Sequence, residues 1–199
     1  RHTRLTDGTG VQTCALPISM SAFFINKNCR DKNLEQADQP EFHLPTEIYN
    51  KTGDKQDIFE IISKFGTRAV IITVASDFEI FQERLAEIYS FFKNVNIGCI
   101  IYDEIPADPS TEDIDAAVAF IKKTRCDLII GFGGVQSINS AKAVALLSSN
   151  FIFCHEALES DKNFNAPTRL ITMPAYPCFG FEITPLFFLK EIQQSTHKV

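Results

Sequence analysis

Glycine and proline are scarce in this chain, nine of each in 199 residues, too few for a collagen-like or low-complexity polymer. Apolar residues are not scarce: 45% are hydrophobic and 22% charged, which excludes a largely disordered chain. No run of Lys or Arg appears, and nineteen basic against twenty-five acidic residues leave a net charge of −6. A duplex-binding domain carries a basic stripe, so nucleic acid is not an expected partner. No apolar stretch reaches the roughly 18–20 residues that span a bilayer, so a soluble protein without a membrane partner is expected. The six cysteines (Cys14, Cys29, Cys99, Cys126, Cys154 and Cys178) include no C-x-x-C pair. That spacing suits reduced thiols and a cytoplasmic setting. The adjacent Cys154-His155 reads as a core or loop feature rather than the start of a zinc site. The length suits one domain with a real core.

No secretory leader is expected at the left end. Between Arg1 and Ser19 only Ala15-Leu16-Pro17-Ile18 is apolar, against the roughly 7–15 apolar residues of a leader. Gly10 to Ile18, GVQTCALPI, resembles a translated sequencing adapter. Residues 1–19 are therefore set apart as an artefactual or disordered tail, with Met20 the candidate natural start. Residues 20–41 form a polar lead-in, 42–190 the expected domain, and 191–199 a tail or the truncated start of a second domain.

Within 42–190 the pattern alternates. Phe42 to Tyr49 reads as an extended edge segment around Pro45. Ile58, Ile61, Ile62 and Phe65 recur at helical spacing, with Gly66 placed as a C-terminal cap. Ala69 to Val74 is a β-branched run, the mark of a strand buried on both faces. Ser76 to Glu79 reads as a capping box before a helix carrying Phe78, Phe81, Leu85, Ile88, Tyr89 and Phe92. Ile97 to Tyr102, Leu128 to Ile130 and Arg169 to Met173 supply further strands. Helices are expected from Ser110, with Ile114, Ala117, Val118 and Ile121 as its stripe, and from Asn139 to Leu147. Such alternation predicts an α/β fold, a Rossmann-like parallel sheet with helices on both faces. Ligands in such sheets sit beyond the carboxyl ends of the strands.

One loop at those ends is chemically suggestive. Gly131-Phe132-Gly133-Gly134-Val135-Gln136 joins the Leu128 strand to the next helix. Glycines there let backbone amides approach an anion, and a helix N-terminus adds about half a positive charge. The pattern is not G-x-G-x-x-G, because Gln136 holds the last glycine position. The loop therefore reads as a phosphate cradle, with a tight turn that needs glycine only for its own geometry as the alternative.

The segment resembles the iron-containing (group III) alcohol dehydrogenase family, whose stretch runs G-x-G-G-G-S-x-x-D-x-A-K. Phe42 to Ile48 is similar to the family's F-x-L-P-T-x-I. Ala107 to Ser110 is similar to its N-P-T, and Arg125 to Ile130 to its C-D-x-I-I. Met173-Pro174 through Gly180 to Thr184 is similar to its P-T-T-x-G-T-G-S-E-x-T. The resemblance implies an N-terminal NAD(P)-binding domain followed by an all-helical domain. In the family that second domain holds Fe²⁺ or Zn²⁺ through an Asp and three His, and hydride passes between an alcohol or aldehyde and the cofactor. Those metal-ligand positions fall beyond this chain, so no catalytic or metal residue is assigned here. The fragment is expected to be inactive alone, and a homo-oligomer is expected only of a full-length protein.

The resemblance places the cofactor against Gly133, Gly134, Val135, Gln136, Asn139, Lys142, Ala175, Tyr176 and Phe179. Several of these depart from the family pattern. Val135 replaces a glycine, Gln136 the phosphate-binding serine, and Asn139 the aspartate, where it would still serve as a helix cap. Ala175, Tyr176, Phe179 and Phe181 remove hydroxyls. Lys142 fits, though an exposed helix lysine would look the same in sequence. An acid that reads the cofactor ribose is expected where Val74 stands. Asp77, close by, reads as a helix-dipole partner, which leaves NAD and NADP both open. Two alternatives remain: a non-catalytic nucleotide-binding α/β module, or a cavity lined by Phe179 and Phe181 for a more apolar ligand.

Overall fold

Runs of β-branched residues become buried strands, and the segments between them become helices that cover the sheet. The computed structural model describes residues 4–6, 12–17, 46, 48, 60, 62–159, 164–184 and 186–191. The strands are β1 (Arg4–Thr6), β2 (Gln12–Pro17), β3 (Arg68–Val74), β4 (Gly98–Ile105), β5 (Leu128–Gly133), β6 (Arg169–Pro174) and β7 (Leu186–Glu191). The helices are α1 (Ala75–Ile80), α2 (Gln82–Asn94), α3 (Thr111–Thr124), α4 (Val135–Ser148) and α5 (Cys154–Glu159). Strands β4-β3-β5-β6 form one sheet in that order, every pair parallel. This is the Rossmann-like arrangement that the alternation predicts.

Strand alternation divides the core in two. Val70, Ile72 and Val74 face Ile114, Ala117, Val118 and Ile121 of α3 and Val144 and Leu147 of α4. Ala69 and Ile71 face the other way, against Leu85, Ile88 and Phe92 of α2. Each fully buried Ile, Leu or Phe contributes about 1.5–3 kcal/mol, so both layers hold the sheet firmly. Helix α4 is buried from Ser137 through Leu147. It packs on β3, β5 and β6 of the sheet, and against α3 and β7.

Local chemistry sets several boundaries differently from the sequence reading. Ser110 caps α3 as expected: its hydroxyl accepts from the Asp113 amide while the Asp113 carboxylate accepts from the Ser110 amide. The capping box read at Ser76 to Glu79 does not form. The chain enters α1 at Val74 without a side-chain cap, and Phe81 separates α1 from α2. Asp77 is turned inward instead. Gly66 does not sit in the left-handed region of a helix cap. A Cβ there would stand 2.7 Å from Leu128 Cβ and 2.8 Å from Asp127 Oδ1, so close packing is what requires glycine.

Residues 1–19, set apart above, include β1 and β2, which form an antiparallel sheet in the order β1-β2-β7. Phe187-Phe188-Leu189 reads from sequence as an exposed, aggregation-prone patch. Phe187 and Leu189 are in fact buried in the core shared with α3 and α4, because alternate residues of β7 point inward. Of the Phe42 to Tyr49 segment only Thr46 and Ile48 are described, and Ile58 and Ile61 lie outside the described residues. Among the described residues no helix is long and apolar enough to cross a membrane.

Candidate functional site

The carboxyl ends of β3, β5 and β6 meet at Val74, Gly133 and Pro174. Just past them the Ala175 amide donates to the Gly133 carbonyl at 2.9 Å, extending the β5–β6 pairing by one bond. Gly133 has φ +133°, a conformation costly for any residue with a Cβ. That turn lets Gly134 act as N-cap, so α4 begins at Val135. The sequence reading started this helix at Asn139. The turn chemistry of two adjacent glycines brings the start forward by a full turn. Asn139 is therefore buried inside α4 rather than capping it.

An acidic side chain occupies the mouth of α4. Asp77 Oδ2 accepts from the Gly134 amide at 2.8 Å and from the Ser137 hydroxyl at 2.6 Å. The Tyr176 hydroxyl donates to Asp77 Oδ1 at 3.0 Å. Ser137 Oγ also accepts from the Val74 amide at 3.0 Å, so one hydroxyl ties the end of β3 to α4. Asp77 is a helix-dipole partner, as its position suggests, but of α4 rather than of its own helix α1. Burial, then the hydrogen bond to Asp77 and its negative charge, push the Tyr176 phenol up to about 12. A Cβ on Gly134 would overlap the Tyr176 hydroxyl. The phenol thus lies directly over the glycine turn.

Deeper along α4, Lys142 is wholly buried, which removes the exposed-lysine alternative. Its Nζ donates to the Phe181 carbonyl and, at 3.2 Å, to Thr184 Oγ1. Burial lowers the amine to about 8, against the opposing charges of Glu182 and Cys178. Asn139 Oδ1, Ser140 Oγ and Glu182 Oε2 are buried with no hydrogen-bond partner among the described residues. Phe181 stacks edge-on against Phe188 at 5.7 Å, and its ring lies 5.9 Å from Lys142 Nζ. Phe179 is 89% exposed at φ +54°. The apolar cavity read from Phe179 and Phe181 does not form, because one ring points to solvent and the other packs on β7.

The structure thus gathers Gly133, Gly134, Ala175 and Tyr176 at one mouth, with Asn139 and Lys142 inside the same helix. Val135 is half-buried and Gln136 exposed on its first turn. Phe179 projects away from the protein surface. Sequence reasoning missed Ser137 altogether. Its partners Val74 and Asp77 lie 63 and 60 residues away, and nothing local signals them.

As arranged, Asp77 and Tyr176 oppose a diphosphate at Gly134. The amide that would reach it is given to Asp77, and the approach is covered by Tyr176. A second anion placed about 4 Å from a carboxylate near a protein surface costs about 4 kcal/mol. Among the described residues no acceptor bonds the amides of Val135, Gln136 or Ser137, so part of the helix end remains available. Among the described residues no group of three or more His, Cys, Asp or Glu comes together as a metal site.

A parallel sheet with helices on both faces, and a glycine turn opening from its central strand into a buried helix, defines a Rossmann-like α/β domain. The model of the iron-containing alcohol dehydrogenase family matches residues 45–199. The chain belongs to that family and corresponds to its nucleotide-binding portion. It is 34% identical over 79 residues to the probable alcohol dehydrogenase EutG of Salmonella typhimurium, covering 40% of this chain and 20% of that protein. It is 26% identical over 149 residues to the mitochondrial hydroxyacid-oxoacid transhydrogenase of Xenopus tropicalis, covering 71% and 32%. The iron-containing alcohol dehydrogenase of Thermotoga maritima superposes with a TM-score of 0.64 at 26% identity, over 76% of this chain and 42% of that one. The chain therefore spans well under half the length of these relatives.

Proposed function

We propose that this chain is the cofactor-binding portion of an NAD- or NADP-dependent oxidoreductase that interconverts an alcohol and an aldehyde by hydride transfer. The observation that carries the reading is the family match over residues 45–199, laid on a sheet whose Gly133–Gly134 turn opens α4 at the strand carboxyl ends. Sheets of this kind take their ligands at that edge. Gly133, Gly134, Val135, Gln136, Asn139, Lys142, Ala175, Tyr176 and Phe179 are the proposed cofactor neighbours. The whole protein would draw its metal, Fe²⁺ or Zn²⁺, from residues outside this chain. A homo-oligomer and a cytoplasmic location belong to the same proposal.

A second reading is favoured by Asp77 and Tyr176 at the mouth of α4: a nucleotide-binding module of this fold without redox chemistry. One titration separates the two. Under the first reading the purified chain quenches or enhances NADH or NADPH fluorescence saturably, yet turns over no alcohol with added Fe²⁺ or Zn²⁺. A module reading predicts binding of ADP or ATP in preference to either dinucleotide. Absence of binding by any nucleotide at millimolar concentration would remove both.

A further inference from the structure

We infer that Asp77 is a resident anion standing where a ligand phosphate would otherwise bind, clasped by Tyr176, and that this pair limits how well the chain takes a diphosphate. The inference rests on the reading above only in treating the Gly133–Gly134 turn as a phosphate cradle.

A helix N-terminus attracts negative charge because its first amides are unpaired and its dipole is positive there. In this fold the charge comes from the protein itself. Asp77 is 3% exposed and accepts from three donors on two other segments, Gly134 and Ser137 on one and Tyr176 on the other. No ion pair joins it to a Lys or Arg among the described residues. The end of α4 is thus its counter-charge, the place a phosphate would take.

The clasp is braced as well. The Tyr176 ring lies 5.9 Å from that of Phe81, which in turn meets Phe132 edge-on at 6.0 Å. A diphosphate approaching Gly134 meets first a phenol held by these rings and then a carboxylate of its own sign. The amides of Val135, Gln136 and Ser137 still point out of the first turn. Removing the charge should therefore uncover a cradle rather than destroy one, so loss of a buried acid strengthens binding. A merely structural Asp77 predicts the opposite sign.

The test is calorimetric titration of the 199-residue chain, of Asp77→Asn and of Tyr176→Phe with inorganic pyrophosphate and with NADH. Asn keeps the shape and an oxygen for the Gly134 amide while removing the charge. Asp77→Asn should bind pyrophosphate about ten-fold more tightly or better, given the repulsion relieved. Tyr176→Phe, which frees one carboxylate oxygen and disturbs no buried amide, should gain about two- to five-fold through a loosened clasp. Pyrophosphate binding that is equal or weaker in Asp77→Asn overturns the inference, as does tight binding by the unaltered chain with no gain in either variant. A gain for pyrophosphate with no NADH binding by any form upholds the inference and sinks the dinucleotide reading. Equal NADH binding by all three forms, without a pyrophosphate gain, upholds that reading and sinks the inference. Should Asp77→Asn fail to fold, the direction of change in Tyr176→Phe decides alone: no gain overturns it.

Discussion

The Ser137 hydroxyl donates a 2.6 Å hydrogen bond to Asp77 Oδ2 across 60 residues of sequence. The same oxygen accepts the Val74 amide. Truncation would leave that buried amide unpaired and take one donor from a buried carboxylate. Ser137→Ala should therefore lose about 2–3 kcal/mol of stability, read as a lower urea midpoint at an unchanged slope. A loss within experimental error would mean that the hydroxyl does not hold the strand end to the helix.

Lys142 gives a pH signature. Its amine is lowered to about 8 by burial, whereas an unfolded lysine releases its proton near about 10.4. Between those values the unfolded chain holds more protons, so stability rises with pH across that window. Below about 8 both states are protonated and the cost of the buried charge is constant. Denaturation at a series of pH values should show the rise in the unaltered chain and lose it in Lys142→Met. An identical rise in the variant would assign the titration to another group.

Asp127 acts at the opposite end of the sheet. Burial works to raise its carboxyl, but hydrogen bonds from the amides of Arg68 and Thr67 and from the Thr67 hydroxyl hold it below the ordinary value. Its stabilising effect is present above the unfolded aspartate value near about 3.9 and is lost as pH falls through the lower folded one. Asp127→Asn should cost about 1 kcal/mol at neutral pH, screened by its exposure. The cost should shrink on acidification. A penalty that stays constant down to strongly acid pH would contradict the assignment.

Gly66→Ala tests the close approach of the loop before β3 to β5. The added methyl would press on Leu128 Cβ and the Asp127 carboxylate, with an expected loss of about 1–3 kcal/mol. A melting temperature equal to that of the unaltered chain would show that the loop yields without strain.

Much of this architecture was legible because burial on both faces demands unbroken apolar runs. Ala69 to Val74 and Leu128 to Ile130 could hardly be anything but central strands, and the stripe from Ile114 to Ile121 forms the inner face of α3. The misreadings share one cause. Helix α4 starts at Val135 rather than Asn139 because Gly133 and Gly134 shape the turn through backbone angles, which apolar periodicity does not register. The inward turn of Asp77 depends on Gly134, Ser137 and Tyr176, whose nearest member is 57 residues away. Lys142 looks like any helix lysine until α4 is seen buried on every side. Phe187 and Leu189 look exposed until β7 is placed beside that helix. Family motifs marked the glycine turn and the Tyr176 segment, but only packing shows that one closes over the other.

The placement of Lys142 also couples distant parts of the chain. Its ammonium donates to Phe181 and Thr184, 39 and 42 residues further on. A buried ammonium is costly unless acceptors meet it. The 181–184 segment therefore helps to seat α4, and a chain cut before residue 181 would lose two of the contacts that compensate this charge.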